Sequence, residues 1–293
     1  MLLEKLVPIN SDNHKEFQTL FEVIGQRLDS QGWIQLFTLW TLTVSGIVLT
    51  MDLGDRYIYW EWGGWSTGLA KLGITTIFFN FVLRPRRMWS LGDKVLSNKE
   101  LASHVFIGLG LIGFGWFDPT AFLDIKSSAP YDAPLTQSYV DTLYSLLGIL
   151  PYATSFASCA LIFQFKLKLN LENRVWSVVS WEQKLKFLSL SIFLMSITII
   201  LGIALDDPVV STAGAVSIPF AIIALIWPSH VRHLQRARFY PLFIFAMFLC
   251  VRAPWFLIPL AILFFSIRTV NYLRYGIVHP SFGVDFLDEH KQV

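Results

Sequence analysis

Phe239–Ile267 reads FYPLFIFAMFLCVRAPWFLIPLAILFFSI, twenty-nine residues whose only charge, Arg252, stands almost at the centre. Taken as one membrane span, this stretch would place a guanidinium near the bilayer midplane, where ionised groups are costly. Its flanks decide between one span and two. Basic clusters lie on both sides, Arg232, Arg236 and Arg238 before it and Arg268 and Arg274 after it. Lys and Arg collect on the cytoplasmic side of short loops. A single span would put these clusters on opposite faces, whereas a hairpin turning at Arg252-Ala253-Pro254 puts both inside. Pro254 disfavours helical geometry at the residue before it, which suits a turn. Each arm then has 13 to 15 uncharged residues, roughly 20 Å of helix, so the arms must borrow length from their amphipathic ends.

The rest of the chain fits the same reading. Of 293 residues, 54% are hydrophobic and 15% charged, and mean hydropathy is +0.53. Soluble chains average about 45–50% apolar and about 25% charged. Apolar blocks run Trp33–Met51, Trp65–Leu83, Leu101–Phe117, Thr142–Phe165, Phe187–Leu205 and Pro208–Pro228. Those lengths suit membrane helices and not the shorter alternating strands of a barrel. With the hairpin, the sequence predicts an all-α polytopic membrane protein of about eight transmembrane helices, both termini cytoplasmic. Nineteen of the 23 Lys and Arg then lie inside, and three (Arg56, Lys126 and Arg252) lie outside. Asp52, Asp55, Glu61, Asp118, Asp124, Asp132, Asp141, Asp206 and Asp207 fill the outer loops. So steep an asymmetry suits a bacterial inner membrane.

Three regions follow. Residues 1–32 form a cytoplasmic segment in which Phe17, Leu20, Phe21, Ile24 and Leu28 recur at helical spacing, predicting an amphipathic helix on the membrane surface or on the bundle. Residues 33–275 form the bundle, with an interfacial helix expected near 172–186, and residues 276–293 form a cytoplasmic tail. Tryptophan prefers the headgroup level. Trp60, Trp62, Trp65, Trp116 and Trp255 fall at the outer boundary of this topology, and Trp33, Trp89, Trp176, Trp181 and Trp227 at the inner one; Trp40 is mid-span. Arg87-Met-Trp-Ser90 and Arg174-Val-Trp-Ser177 echo one another, but four residues without a repeat period are read as coincidence.

Candidate chemistry is sparse. Gly108, Gly110 and Gly113 satisfy G-x-G-x-x-G, yet they lie inside a span, where no strand precedes them; close helix packing on two faces is the physical reading. Lys71, six residues into the second helix, either snorkels to water or contacts an anion. Arg252, at the outer turn, is expected to bridge to Asp206 or Asp207, with an outward anion site as its alternative role. His104 is the histidine set well inside a span; a haem b would need it and a partner such as His230 or His233, but no spacing demands that. The acidic outer loop 118–141 fits no calcium-binding pattern. Pro151, Pro219 and Pro259 are read as interrupting their spans. Cys159 and Cys250 sit in separate apolar blocks, and no hydrolase, Walker or C-x-x-C motif occurs. No cofactor is expected, and no nucleic acid, since the net charge of +2 is dispersed. The expected function is an integral subunit or scaffold of a membrane complex, without catalysis of its own. Its expected partners are the bilayer and other membrane subunits or copies of itself. A carrier or channel for a small solute, an anion among the candidates, is the first alternative, and a haem-binding redox protein the second.

Overall fold

The computed structural model describes residues 2–9, 11–50, 62, 64–92, 94–117, 146–164, 167–170, 175–178 and 182–276. The acids of 51–61 and 118–145, and the tail beyond Gly276, lie outside these residues. What is described is overwhelmingly helical: α1 Leu2–Leu6, α2 Asp12–Gln31, α3 Trp33–Thr50, α4 Trp65–Phe78 continued by a π turn Phe79–Leu83, α5 Asn98–Trp116, α6 Ile149–Ile162, α7 Lys184–Ala204, α8 Pro208–Ile226, α9 Val231–Arg252 and α10 Leu257–Tyr275. Five helical stretches are long and apolar enough to cross a membrane: Trp65–Leu83, Lys184–Ala204, Pro208–Ile226, Arg232–Arg252 and Pro254–Tyr275. Gln35–Thr50 and Ile149–Ile162 are shorter apolar helices. The first turn of α5 is spent on Asn98, Lys99 and Glu100.

The stretch 239–267 is two helices. α9 ends at Arg252, Ala253 leaves helical geometry (φ −119°, ψ 75°), and Pro254–Phe256 form a 3-10 turn leading into α10. The rings of Phe243 and Phe264 meet at 5.2 Å between centroids. A straight helix would hold residues twenty-one apart at about 31 Å, so the chain reverses between them. The arms gain the length they lacked by helical continuation through their charged ends: α9 has 22 residues and includes Arg232, Arg236 and Arg238.

Sequence sets the helix ends. Ser97 and Glu100 form a reciprocal capping box at the start of α5. Asp207 accepts from the Val209 and Val210 amides, with Pro208 at the first helical position of α8. Gly32 closes α2 at φ 69°, a left-handed conformation costly for other residues. Each of the pairs α5–α6, α6–α7, α7–α8 and α8–α9 packs together, and α3 contacts α4, α5 and α9. Among the five membrane-length helices α9 is the most buried, with 61% of its apolar window buried, against 28% for α4 and for α7. Phe81, Phe106 and Ile203, each at least 69% exposed, stand on the outside. An apolar exterior of this kind suits lipid and not water.

The glycines of α5 divide by face. A side chain at Gly115 would strike the backbone of Thr43, and one at Gly46 the carbonyl of Ile112, so α3 and α5 cross backbone to backbone. Gly108 receives the Phe156 ring of α6, while Gly110 and Gly113 meet nothing. Thus only one of the two expected faces is occupied.

Several expectations are corrected. In place of an interfacial helix near 172–186, Leu167–Asn170 and Val175–Val178 pair as an antiparallel ribbon, and α7 starts at Lys184. Leu-Lys-Leu-Asn alternates, and Val175, Trp176 and Val178 are good strand formers, so the local preference is extended. The second copy of the R-x-W-S echo therefore lies partly in a strand, while the first lies in the loop before α5. Pro259 interrupts nothing: it is the third residue of its helix, within the first turn, where a missing N–H costs little. Pro151 is likewise the third residue of α6, but the helical Leu146–Leu147 are separated from α6 by a turn at Gly148, so the fourth apolar block is broken just before it. Pro219 does lie inside α8, and Pro241 inside α9. Trp89 and Trp255 are each 2% exposed, core residues and not belt anchors. The loop after α4 is responsible for the first, since it folds inward with Leu91 and Leu96 also buried.

The amphipathic α2 docks on α10. Arg274 forks onto Glu22 through Nε and Nη2 at 2.9 and 3.1 Å, and its Nη1 meets Asp29. Gly25 lies beneath its stem, and Tyr272 donates to the Val7 carbonyl. The Arg274 guanidinium holds the Glu22 carboxyl below its ordinary value of 4.5. A folded value under the unfolded one means that the clamp is complete above pH 4.5 and is lost as pH falls through the folded value. Arg274→Met should therefore cost about 1–3 kcal/mol, a buried-pair cost discounted because both carboxylates remain partly in water. Amide exchange in α2, corrected for intrinsic rates, should rise in that variant and, in the wild type, on acidification. Protection of α2 that ignores both changes would contradict the clamp.

Candidate functional site

The residues with a claim on function divide between the two ends of the bundle. At one end α5 finishes, α8 begins and α9 turns into α10. Lys71 on α4 donates from Nζ to the carbonyls of Gly115 at 2.6 Å and Phe117 at 2.8 Å. These are carbonyls of the last turn of α5, which have no partner within their own helix, and a cation also complements the negative end of the helix dipole. Its reach across forty-four residues of sequence makes Lys71 a cap for a neighbouring helix, a role in neither the snorkelling nor the anion expectation.

Asp207 is equally engaged. One oxygen caps α8, and the other accepts from the Tyr152 hydroxyl at 2.9 Å. Arg252 is 4% exposed at the last residue of α9. It forms no ion pair with Asp207 or with Asp206, so the expected bridge is absent; the Asp207 carboxylate is consumed by the cap and by Tyr152. Trp255, three residues beyond Arg252, lays its ring over Gly68 of α4, one turn from Lys71. Lys71 and Arg252 thus come to the same end of the fold, as the sequence led one to expect.

His104 stands at the other end, near the start of α5. The Ser90 amide, which can only donate, reaches its Nε2 at 2.9 Å. Nδ1 then carries the proton and donates to the Glu100 carbonyl at 2.7 Å. Its ring is 2% exposed and lies against Trp89 at 5.0 Å between centroids. Both nitrogens are used, so in this arrangement His104 presents no lone pair to an iron. Its work is to fasten the inward loop 84–97 to α5. His230 and His233 stack on one another at 4.4 Å at the start of α9. Among the described residues, no three His, Cys, Asp or Glu converge on a common point. At the same end Arg84 donates to Gln35 and to the Asp29 carbonyl, joining the end of α4 to the corner between α2 and α3.

Between these ends runs a polar strip that sequence reading missed. Gln35, Thr38, Thr41 and Ser45 share one buried face of α3. Thr38, Thr41 and Ser45, with Tyr152, Ser155 and Cys159 of α6, line a cavity of about 20 Å³. Thr41, Ser45 and Ser155 give their protons to backbone carbonyls of their own helices, turning lone pairs toward the space. Such a volume takes one water, whereas pockets for organic ligands span about 300–1,000 Å³. The i, i+3, i+6, i+10 recurrence of polar residues in an apolar block was the available signal.

Elsewhere Lys94 and the Ser97 amide and hydroxyl hold the Glu100 carboxyl down at about 2. This keeps the α5 cap charged throughout ordinary conditions. No family model, curated protein or solved structure matches this chain.

The capping role of Lys71 has a measurable consequence. Lys71→Met keeps the stem and removes two charge-assisted hydrogen bonds to partly exposed carbonyls, and should destabilise the protein by about 1–3 kcal/mol. Lys71→Arg should restore most of it. Unchanged thermal unfolding of the Met variant would show that the ammonium is not what holds the end of α5.

Proposed function

We propose that the chain is an eight-helix membrane protein, with α3 through α10 as its spans and both termini on the cytoplasmic face, and that it serves as a non-catalytic subunit or scaffold of a membrane assembly. The orientation follows from the basic residues, which would otherwise have to be carried across in bulk. A bacterial inner membrane is the setting in which so steep a charge division has its ordinary meaning.

The observation that carries the functional reading is how the buried polar groups are used. Lys71 caps α5, Asp207 caps α8, His104 fastens a loop and Arg274 clamps α2. Groups spent on the protein's own backbone and side chains are not poised for proton transfer or substrate binding. The glycines, by contrast, leave room outside. Among the described residues, nothing lies where a side chain would point at Gly110 and Gly113 on α5 and Gly73 on α4, the feature that lets another membrane helix approach closely. The partner this suits is a transmembrane helix, from another subunit or a second copy.

Extraction in mild detergent followed by native mass spectrometry tests the reading. The chain should leave the membrane with a partner in fixed stoichiometry, and Gly113→Ile should weaken that association at least about tenfold while leaving thermal unfolding unchanged. A strictly monomeric protein, unaffected by the substitution, would overturn the proposal.

A further inference from the structure

We propose that the turn between α9 and α10 is an oxyanion site centred on Arg252, taking a phosphate group. The inference does not rest on the scaffold reading or on the orientation of the bundle.

Arg252 is 96% removed from solvent by its 4% exposure, yet among the described residues no carboxylate lies within ion-pair distance of it and no group accepts a hydrogen bond from it. Among the described residues, the other two strongly buried arginines each have an electrostatic partner: Arg274 has two carboxylates, and Arg238, although its Nε and Nη1 find no hydrogen-bond acceptor, lies against Phe163 and Phe239, its guanidinium carbon 4.5 and 5.0 Å from the ring centroids. An enclosed guanidinium without a counter-charge is unfavourable, and removing a buried ion's partner is more damaging than removing the pair. The negative end of α9 offsets part of that charge, but none of its carbonyls accepts from the side chain.

Among the described residues, the surroundings add donors. Trp255, across the turn, keeps its Nε1 buried without a partner. Its ring rests on Gly68 of α4, and Lys71 follows one turn later on the same helix. Of the aspartates at this end, Asp207 is consumed by Tyr152 and the α8 cap. Among the described residues, then, the cations Arg252 and Lys71 and the Trp255 donor meet at this corner, and neither Asp206 nor Asp207 pairs with Arg252. The Arg252 nitrogens are not fully enclosed, unlike Nε and Nη1 of Arg238.

Arginine presents a planar fork that matches phosphate oxygens two at a time, and desolvation by its neighbours strengthens that contact. At the end of an apolar bundle, phosphate is met as a lipid headgroup or as the free ion. Both present the same oxygens, and experiment separates them.

The full chain, Arg252→Met and Arg252→Lys would be purified in a neutral maltoside detergent and offered either phosphatidylglycerol in mixed micelles, read by native mass spectrometry, or inorganic phosphate against chloride at equal ionic strength, read by thermal unfolding. The wild type should retain one phosphatidylglycerol or be stabilised by phosphate, and Arg252→Met should weaken that binding at least about tenfold. Arg252→Lys, which keeps the charge without the fork, should fall between them and preserves the test should the Met variant fail to fold. In detergent alone Arg252→Met should unfold at a higher temperature than the wild type, since it deletes an uncompensated charge. A response to the lipid alone assigns a headgroup, and a response to phosphate alone assigns a soluble anion. Equal response of all three proteins to both ligands, or a wild type that binds neither, overturns the proposal.

Discussion

The fold turns on a missing amide hydrogen. Pro254 has no N–H to continue α9 and disfavours helical geometry at Ala253, so a well-buried helix of the bundle stops in the middle of an apolar run. From that stop follow the return of α10 alongside α9, the ring contact between Phe243 and Phe264, and the placing of Arg274 where α2 can be clamped. The same stop leaves Arg252 at a helix terminus and not in a helix interior. An arginine in the centre of a hydrophobic stretch is then no longer a paradox, though it becomes a buried cation in need of an anion.

A second theme is the use of charge to finish helices. The ends of α5 show both halves: Ser97 and Glu100 satisfy its first amides, and Lys71 satisfies its last carbonyls. Asp207 opens α8 and ties it to α6 through Tyr152. Water cannot satisfy such groups inside a bilayer core, so each has a partner supplied by the protein. The small hydroxyl-lined cavity between α3 and α6 obeys the same rule, with serine and threonine protons turned onto backbone carbonyls.

Much of this was legible in the sequence where the determinant is local. The turn at Arg252-Ala253-Pro254 could be read because proline acts on its immediate neighbour and because the flanking basic clusters must share a face. The amphipathic helix of the N-terminal segment showed itself through its spacing. What escaped required contacts between distant residues. Lys71 and the carbonyls of Gly115 and Phe117 are forty-four or more positions apart, so capping could not be told from snorkelling. Arg274 clamps Glu22 and Asp29 across some 250 residues, and the only hint was that those acids lie seven apart on one face of α2, with Gly25 between them. A ribbon stands in place of the helix expected at 172–186 for a local reason: the mixture of Lys, Arg and Trp suggests membrane-surface character, but Val175-Trp-Ser-Val178 prefers an extended strand. Trp89 and Trp255 show that an aromatic near a boundary can equally be a core residue when a loop folds inward or a glycine opposite makes room.

The reversal at Ala253 fixes the parity of the crossings, and parity is directly measurable. Reporters fused to the two ends of the chain, one active only in the cytoplasm and one only beyond the membrane, should place both termini in the cytoplasm. Termini in different compartments would mean an odd number of crossings, and the two-helix reading of residues 239–267 as a membrane hairpin would be wrong.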